Sequence, residues 1–140
     1  MDFRTSIAGL IESGLERSFG SAEFDLDAIA SLLEVPPDAS MGDYAFPCFR
    51  LAKALRKAPP AIADQLAGAV AAPFLARVEA VKGYLNFYID RAVYAREVLS
   101  LVEARGDDYG GGDEGDGRTV CIDYSSINIA KRFHIGHLST

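Results

Sequence analysis

Phe74-Leu75-Ala76-Arg77-Val78-Glu79-Ala80-Val81-Lys82-Gly83-Tyr84-Leu85-Asn86-Phe87-Tyr88-Ile89 breaks a chain that otherwise reads as helices. Its apolar residues alternate with polar ones: Phe74, Ala76, Val78 and Ala80 share one side, and Leu85, Phe87 and Ile89 share one side after Lys82-Gly83. Two alternating runs joined by a Gly-containing pair predict a β-hairpin. Because Leu85 and Phe87 point inward, Tyr84 and Asn86 are expected together on the opposite, exposed side of their strand.

Outward from the hairpin the period lengthens. Phe3, Ile7, Leu10, Ile11, Leu15 and Phe19 recur at helical spacing, with Asp2 placed to cap the start and Gly20 to end the run, so an amphipathic helix of about 17 residues is predicted. Residues 25–35 predict a helix (Ala28, Ile29, Leu32, Leu33) running into a short strand before Pro36-Pro37. Pro47 suits a first helical position, with Leu51, Ala52, Leu55 and Ala58 forming an apolar face that Pro59 ends. A further helix is expected over 61–71, with Pro60 at its start. The last spans 90–104, capped by Asp90, with Val93, Tyr94, Val98, Leu101 and Val102 turned inward. Helices and strands without regular βαβ alternation give an α+β class, helices packed on a small β-sheet.

Residues 106–117 carry six glycines and the acidic Asp107, Asp108, Asp113, Glu114 and Asp116, too little apolar surface to fold. A linker over 106–118 therefore separates a domain at 1–105 from a second beginning at 119–140, where Thr119-Val120-Cys121-Ile122 predicts a strand. So short a second piece cannot form a domain of its own, and the sequence is read as a fragment.

The chain has 140 residues, 49% of them hydrophobic, with 14 Lys+Arg against 20 Asp+Glu for a net charge of -6. That balance gives no general attraction for nucleic acid or an anionic membrane, so any RNA contact must be local. Four of the basic residues, Arg50, Lys53, Arg56 and Lys57, fall within eight positions, and Arg50, Lys53 and Lys57 share one helical face. The face is a phosphate-binding candidate or simply solvated. Cys48 and Cys121 lack neighbours at metal or redox spacing and read as two buried thiols in a reducing, cytoplasmic compartment. No run is long and apolar enough to act as a signal or membrane span, so a membrane partner is not expected, and no metal site is expected either.

The chemistry gathers at Ser125-Ser126-Ile127-Asn128-Ile129-Ala130-Lys131-Arg132-Phe133-His134-Ile135-Gly136-His137. A strand leading through a loop into His-x-Gly-His offers helix N-terminal N–H groups and imidazole donors to phosphate, with a glycine that leaves room for a base. This run resembles the ATP signature of the class I aminoacyl-tRNA synthetases, and its flanking residues are similar to the arginyl-tRNA synthetase form in particular. Met41-Gly42-Asp43-Tyr44-Ala45 with Leu51-Ala52-Lys53, and Gly83-Tyr84-Leu85-Asn86-Phe87, resemble that family's N-terminal additional domain. The resemblance spans about residues 40–140. Ile127 stands where the family commonly has proline, and Ser139 where arginine is frequent.

The resemblance implies an arginine-tRNA ligase that joins L-arginine to its tRNA through an arginyl-adenylate. ATP is then a substrate, Mg2+ is expected with it in a monomeric full-length enzyme, and the second domain is the truncated start of a Rossmann-type catalytic fold. His134, Ile135, Gly136 and His137 would bind ATP, with His134, His137 and Lys131 acting on its phosphates. Ser125 and Asn128 would face arginine. Tyr84 and Asn86 match the residues that direct the additional domain to the tRNA D-loop, where an aromatic ring and an amide stack on and read an unpaired base. The fragment alone is expected to bind no ATP and to be inactive. Other readings stay open at single residues: His134 and His137 as half a metal site, Ser125, Ser126 and Asn128 as turn residues, Gly42-Asp43 as loop chemistry. At the level of the chain, the alternatives are another His-x-Gly-His adenylyltransferase, which would place the signature nearer its N-terminus, and a purely structural spacer domain.

Overall fold

The computed structural model describes residues 2–20, 24–113, 115–122, 132 and 135. The chain divides into two compact units, Met1–Ala104 and Arg105–Thr140.

In the first unit, α1 (Phe3–Phe19) begins where the Asp2 carboxylate accepts from Arg4 N and ends where Gly20 turns left-handed and returns its N–H to Glu16. The hydroxyl of Thr5 also donates to the Asp2 carboxylate, and this bond, ahead of those from the backbone, holds the carboxyl below its usual pKa. α2 (Leu26–Leu32) is capped by Asp25, whose side chain accepts from Ala28 N. Arg4 reaches across from α1 and donates to Ala30 O at 3.0 Å, which also takes the Leu33 N–H, and to Leu33 O at 2.6 Å, fastening the end of α2 to α1. The expected strand after α2 shrinks to one bridge, Glu34 with Ala45.

β1 (Tyr44–Pro47) is a strand where the sequence pattern gave none. Pro47 closes it instead of opening a helix, which the sheet tolerates because β1 is an edge strand, where a residue with no N–H to donate costs least. A single 3₁₀ turn at Cys48–Arg50 and the four-residue α3 (Ala52–Leu55) follow. The expected single helix is thus two short pieces, stopped at Arg56, which sits at φ 49°. α4 (Pro59–Ala69) carries prolines in its first turn, where no N–H is missed.

β2 (Leu75–Val81) and β3 (Tyr84–Ile89) form the predicted hairpin, and β1 pairs on the other side of β3, giving the antiparallel order β1-β3-β2. The register slips between Leu75 and Arg77, so Ala76 bulges out exposed instead of facing inward. Phe3, Ile7, Ile11 and Leu15 of α1, Ile29 of α2, and Ile62 and Leu66 of α4 share one core with Leu85, Phe87 and Ile89. Helices therefore cover one face of a three-stranded sheet, an α+β arrangement.

α5 (Arg91–Arg105) is capped by Asp90, whose carboxylate accepts from Ala92 N and Val93 N. Its expected inward face is not buried. Tyr94 stacks on Phe3 at 5.9 Å yet remains 44% exposed, and Leu101 and Val102 are exposed as well. Periodicity foretold an apolar stripe, but no element in the first unit is packed over its C-terminal half.

Among the described residues of the second unit, Gly106–Asp108 makes a short turn and no strand forms. The strand expected at residues 119–122 is unpaired, and a strand exists only through its ladder. Cys121, expected buried, is exposed there for the same reason, while Cys48 is buried, which pushes its thiol up to about 12. Among the described residues no helix is long and apolar enough to cross a membrane.

Candidate nucleic-acid interface

The face of β3 turned away from the core carries Tyr84, Asn86 and Tyr88. The segment 34–41 folds back over this face and makes one wall of a groove. It is tied at one end by reciprocal backbone bonds between Glu34 and Ala45, both 2.9 Å. At the other end the Tyr88 hydroxyl lies 2.8 Å from Ser40 O and 3.0 Å from Glu79 Oε2 and shares its one proton between these two acceptors. Burial, then the Glu79 carboxylate, raises the Tyr88 phenol above its ordinary pKa. Arg77 lies over the Tyr88 ring, 3.8 Å from its centroid, and pairs with Glu79 at 2.9 Å.

Glu34, Pro36, Pro37, Met41, Ala45, Val81, Lys82, Tyr84 and Asn86 line the groove, which has a volume of about 420 Å³. Asn86 forms its floor, directly between Ala45 on β1 and Glu79 on β2. The expectation that Asn86 is exposed fails: it is only 6% accessible. Strand alternation predicted the face but not the wall, because residues 34–41 reach it from far away in sequence. The Asn86 carboxamide takes no hydrogen bond from the described residues. Yet no side-chain N or O among them is sealed from solvent without a partner, so the amide keeps solvent contact through the groove. Its donors and acceptor are free for a ligand.

Tyr84 is half-buried, and Phe49, 44% exposed, meets it edge-to-face with ring centroids 5.0 Å apart and planes at 85°. Phe49 was not singled out in the sequence, where it reads as part of an apolar run. It arrives because Cys48 N donates to Gly83 O at 3.0 Å, fastening the turn after β1 onto the hairpin tip. That tip is tight: Gly83 has φ +85°, and a Cβ there would lie 3.0 Å from Pro59 Cβ.

The basic residues do not form the single helical face expected of them, since α3 is too short to carry it. Arg50 belongs to the 3₁₀ turn and Lys53 to α3, both exposed with no acidic partner among the described residues. Lys57 is committed elsewhere. Its ammonium lies 4.7 Å from the Phe19 ring centroid and donates to Gln65 at 3.1 Å. Gly42-Asp43 is loop chemistry. A Cβ at Gly42 (φ +104°) would lie 2.8 Å from Phe87 O, and Asp43 accepts from Ile89 N at 2.8 Å while pairing with Arg91 at 3.0 Å.

Ser125, Asn128, Lys131, His134, Gly136 and His137 lie outside the described residues, and Ile135, which is described, is 83% exposed. Among the described residues no cluster of three or more His, Cys, Asp or Glu is arranged to hold a metal ion.

Residues 5–89 match the family model for the arginyl tRNA synthetase N terminal domain. The whole chain is 46% identical over 140 residues to an arginine–tRNA ligase of Clostridium botulinum, of which it covers 24%. It is 43% identical over 138 residues to that of Alkaliphilus metalliredigens, covering 98% of this chain and 23% of the relative. The chain thus spans about a quarter of the length of these curated relatives. Among solved structures, the Thermus thermophilus arginyl-tRNA synthetase superposes with a TM-score of 0.58 at 33% identity, over 69% of this chain and 16% of that one.

Proposed function

The chain belongs to the arginyl-tRNA synthetase family, and on that premise we propose that residues 1–105 hold tRNA for an arginine-tRNA ligase. The observation that carries this is the groove: an unpartnered Asn86 carboxamide on its floor beside the Tyr84–Phe49 aromatic pair. An unpaired base entering it stacks on an aromatic ring and satisfies the amide with its polar edge, which is how single-stranded RNA loops are recognised. The D-loop of the tRNA for arginine is the segment assigned to it. Arg50 and Lys53 add phosphate contacts, and Lys57 is left out of this role by its bonds to Phe19 and Gln65.

Residues 106–118 serve as a linker and 119–140 as the start of a Rossmann-type catalytic domain in a cytoplasmic, monomeric full-length enzyme. There ATP and L-arginine react to arginyl-adenylate with release of pyrophosphate, and the arginyl group passes to tRNA with release of AMP, Mg2+ accompanying the ATP. Ser125 and Asn128 hold the amino acid, and Ile135 and Gly136 line the ATP site. His134 and His137 donate to the phosphates where charge develops, and Lys131 faces the departing pyrophosphate.

Binding of a transcript of the tRNA for arginine to the 140-residue chain tests the groove reading. Tyr84→Ala and Asn86→Ala are each expected to weaken it by about 1–3 kcal/mol, the worth of one base contact. Affinity unchanged by both returns residues 1–105 to the role of a structural spacer.

A further inference from the structure

We propose that Lys82 is a phosphate-contacting residue, gripping the backbone of the nucleotide whose base enters the groove. This rests on the groove reading above. Lys82 and Gly83 form the two-residue tip of the hairpin, and both have positive φ, 51° and 85°. Such tips are the province of Asn-Gly, Asp-Gly and Gly-Gly, because a side chain other than Asn or Asp is strained there. A lysine at this position relinquishes stability that asparagine would supply, and strain of this kind concentrates at functional sites.

The lysine's surroundings indicate what it is for. Its side chain lines the groove with Tyr84 and Asn86, is exposed, and has no acidic partner among the described residues. The acidic group nearest along β2, Glu79, is already taken by Arg77 and Tyr88. Glu34 stands among the groove's other lining residues without an ion pair to Lys82. Val81, Met41 and Phe49 leave apolar surface around it half exposed.

A matching ligand brings one negative charge to Lys82, a flat apolar face to Tyr84 and Phe49, and hydrogen-bonding edges to Asn86 and Glu34. One nucleotide of an unpaired RNA loop has that distribution. An acidic peptide, charged along its length, meets Glu34 and the apolar rim unfavourably.

The test is tRNA binding by the full chain over a salt series, with Lys82→Asn, Lys82→Arg and Tyr84→Ala. Lys82→Asn is expected to raise the Tm by a few degrees as the turn relaxes. It should also raise Kd several-fold and lower the slope of log affinity against log salt by about 0.7–0.9, one phosphate contact. Lys82→Arg should keep the slope, and Tyr84→Ala should weaken binding with the slope unchanged. A stabilised Lys82→Asn chain that binds with unaltered Kd and slope, while Tyr84→Ala still binds weakly, overturns the lysine's role and leaves the groove reading intact. If Tyr84→Ala also binds normally, the groove reading falls and this inference with it. Displacement of the tRNA by poly-glutamate as readily as by single-stranded RNA overturns it too, since the surface would then be a general anion or acidic-protein site.

Discussion

Alternate residues of β3 live in different environments. Leu85, Phe87 and Ile89 are sealed against three helices, whereas Tyr84 and Asn86 look into a groove whose wall is a loop, and Tyr88 ties that loop down at Ser40. On the first face every atom is matched by a neighbour, so shape and volume decide what is tolerated. On the second, an amide is enclosed without a partner and two aromatic rings remain half open. On the proposed reading, a single strand contributes to stability with one set of side chains and to RNA binding with the other.

The sharpest break of that contrast is Phe87→Ala, expected to cost about 3–5 kcal/mol in denaturant unfolding, most of what a domain this small possesses. Across the strand, Tyr84→Ala should lose about 1–3 kcal/mol of tRNA binding and under about 1 kcal/mol of stability. A stability loss matching that of Phe87→Ala would erase the distinction between the faces.

Tyr88→Phe is a smaller probe, since it removes the hydrogen bonds that pin the wall and should cost about 0.5–1.5 kcal/mol. It also has a pH signature. The Tyr88 pKa is raised in the folded chain, so the phenol's contribution is complete below its unfolded value and is lost as pH climbs through the folded one. The stability gap between wild type and Tyr88→Phe should therefore narrow above about pH 10. Smallest of all is Asn86→Leu, which should leave stability within about 0.5 kcal/mol because no internal hydrogen bond is broken. Its tRNA binding should nevertheless fall as Asn86→Ala does.

Local signals made much of the fold readable. Asp2 and Gly20 bracket α1 because capping chemistry is settled by a few adjacent residues, and the Lys82-Gly83 hairpin follows from alternation on either side of a turn. What escaped was decided at a distance. β1 is four residues ending in proline and becomes a strand only because β3 lies beside it. The apolar stripe of α5 was legible, but whether anything packs on it was not. Alternation puts Tyr84 and Asn86 on one face, while the burial of Asn86 depends on residues 34–41 folding over it, and Phe49 joins the groove's edge through a backbone bond between Cys48 and Gly83. Lys57 looked like a free cation until Phe19, nearly forty positions earlier, came to lie against it.

The groove wall has a consequence for how such a molecule changes over generations. It is moored at its two ends, Glu34 to Ala45 and Ser40 to Tyr88, and the residues between, 35–39, contribute nothing to the helical core. An insertion or exchange in that strip alters the width and chemistry of the cleft while the sheet's register and the packing beneath stay as they were. If the cleft binds RNA as proposed, recognition can drift in one lineage and not another without either having to refold, and Pro36-Pro37, by limiting the shapes the strip can take, turns each such change into a defined alternative cleft instead of a blur of loose ones.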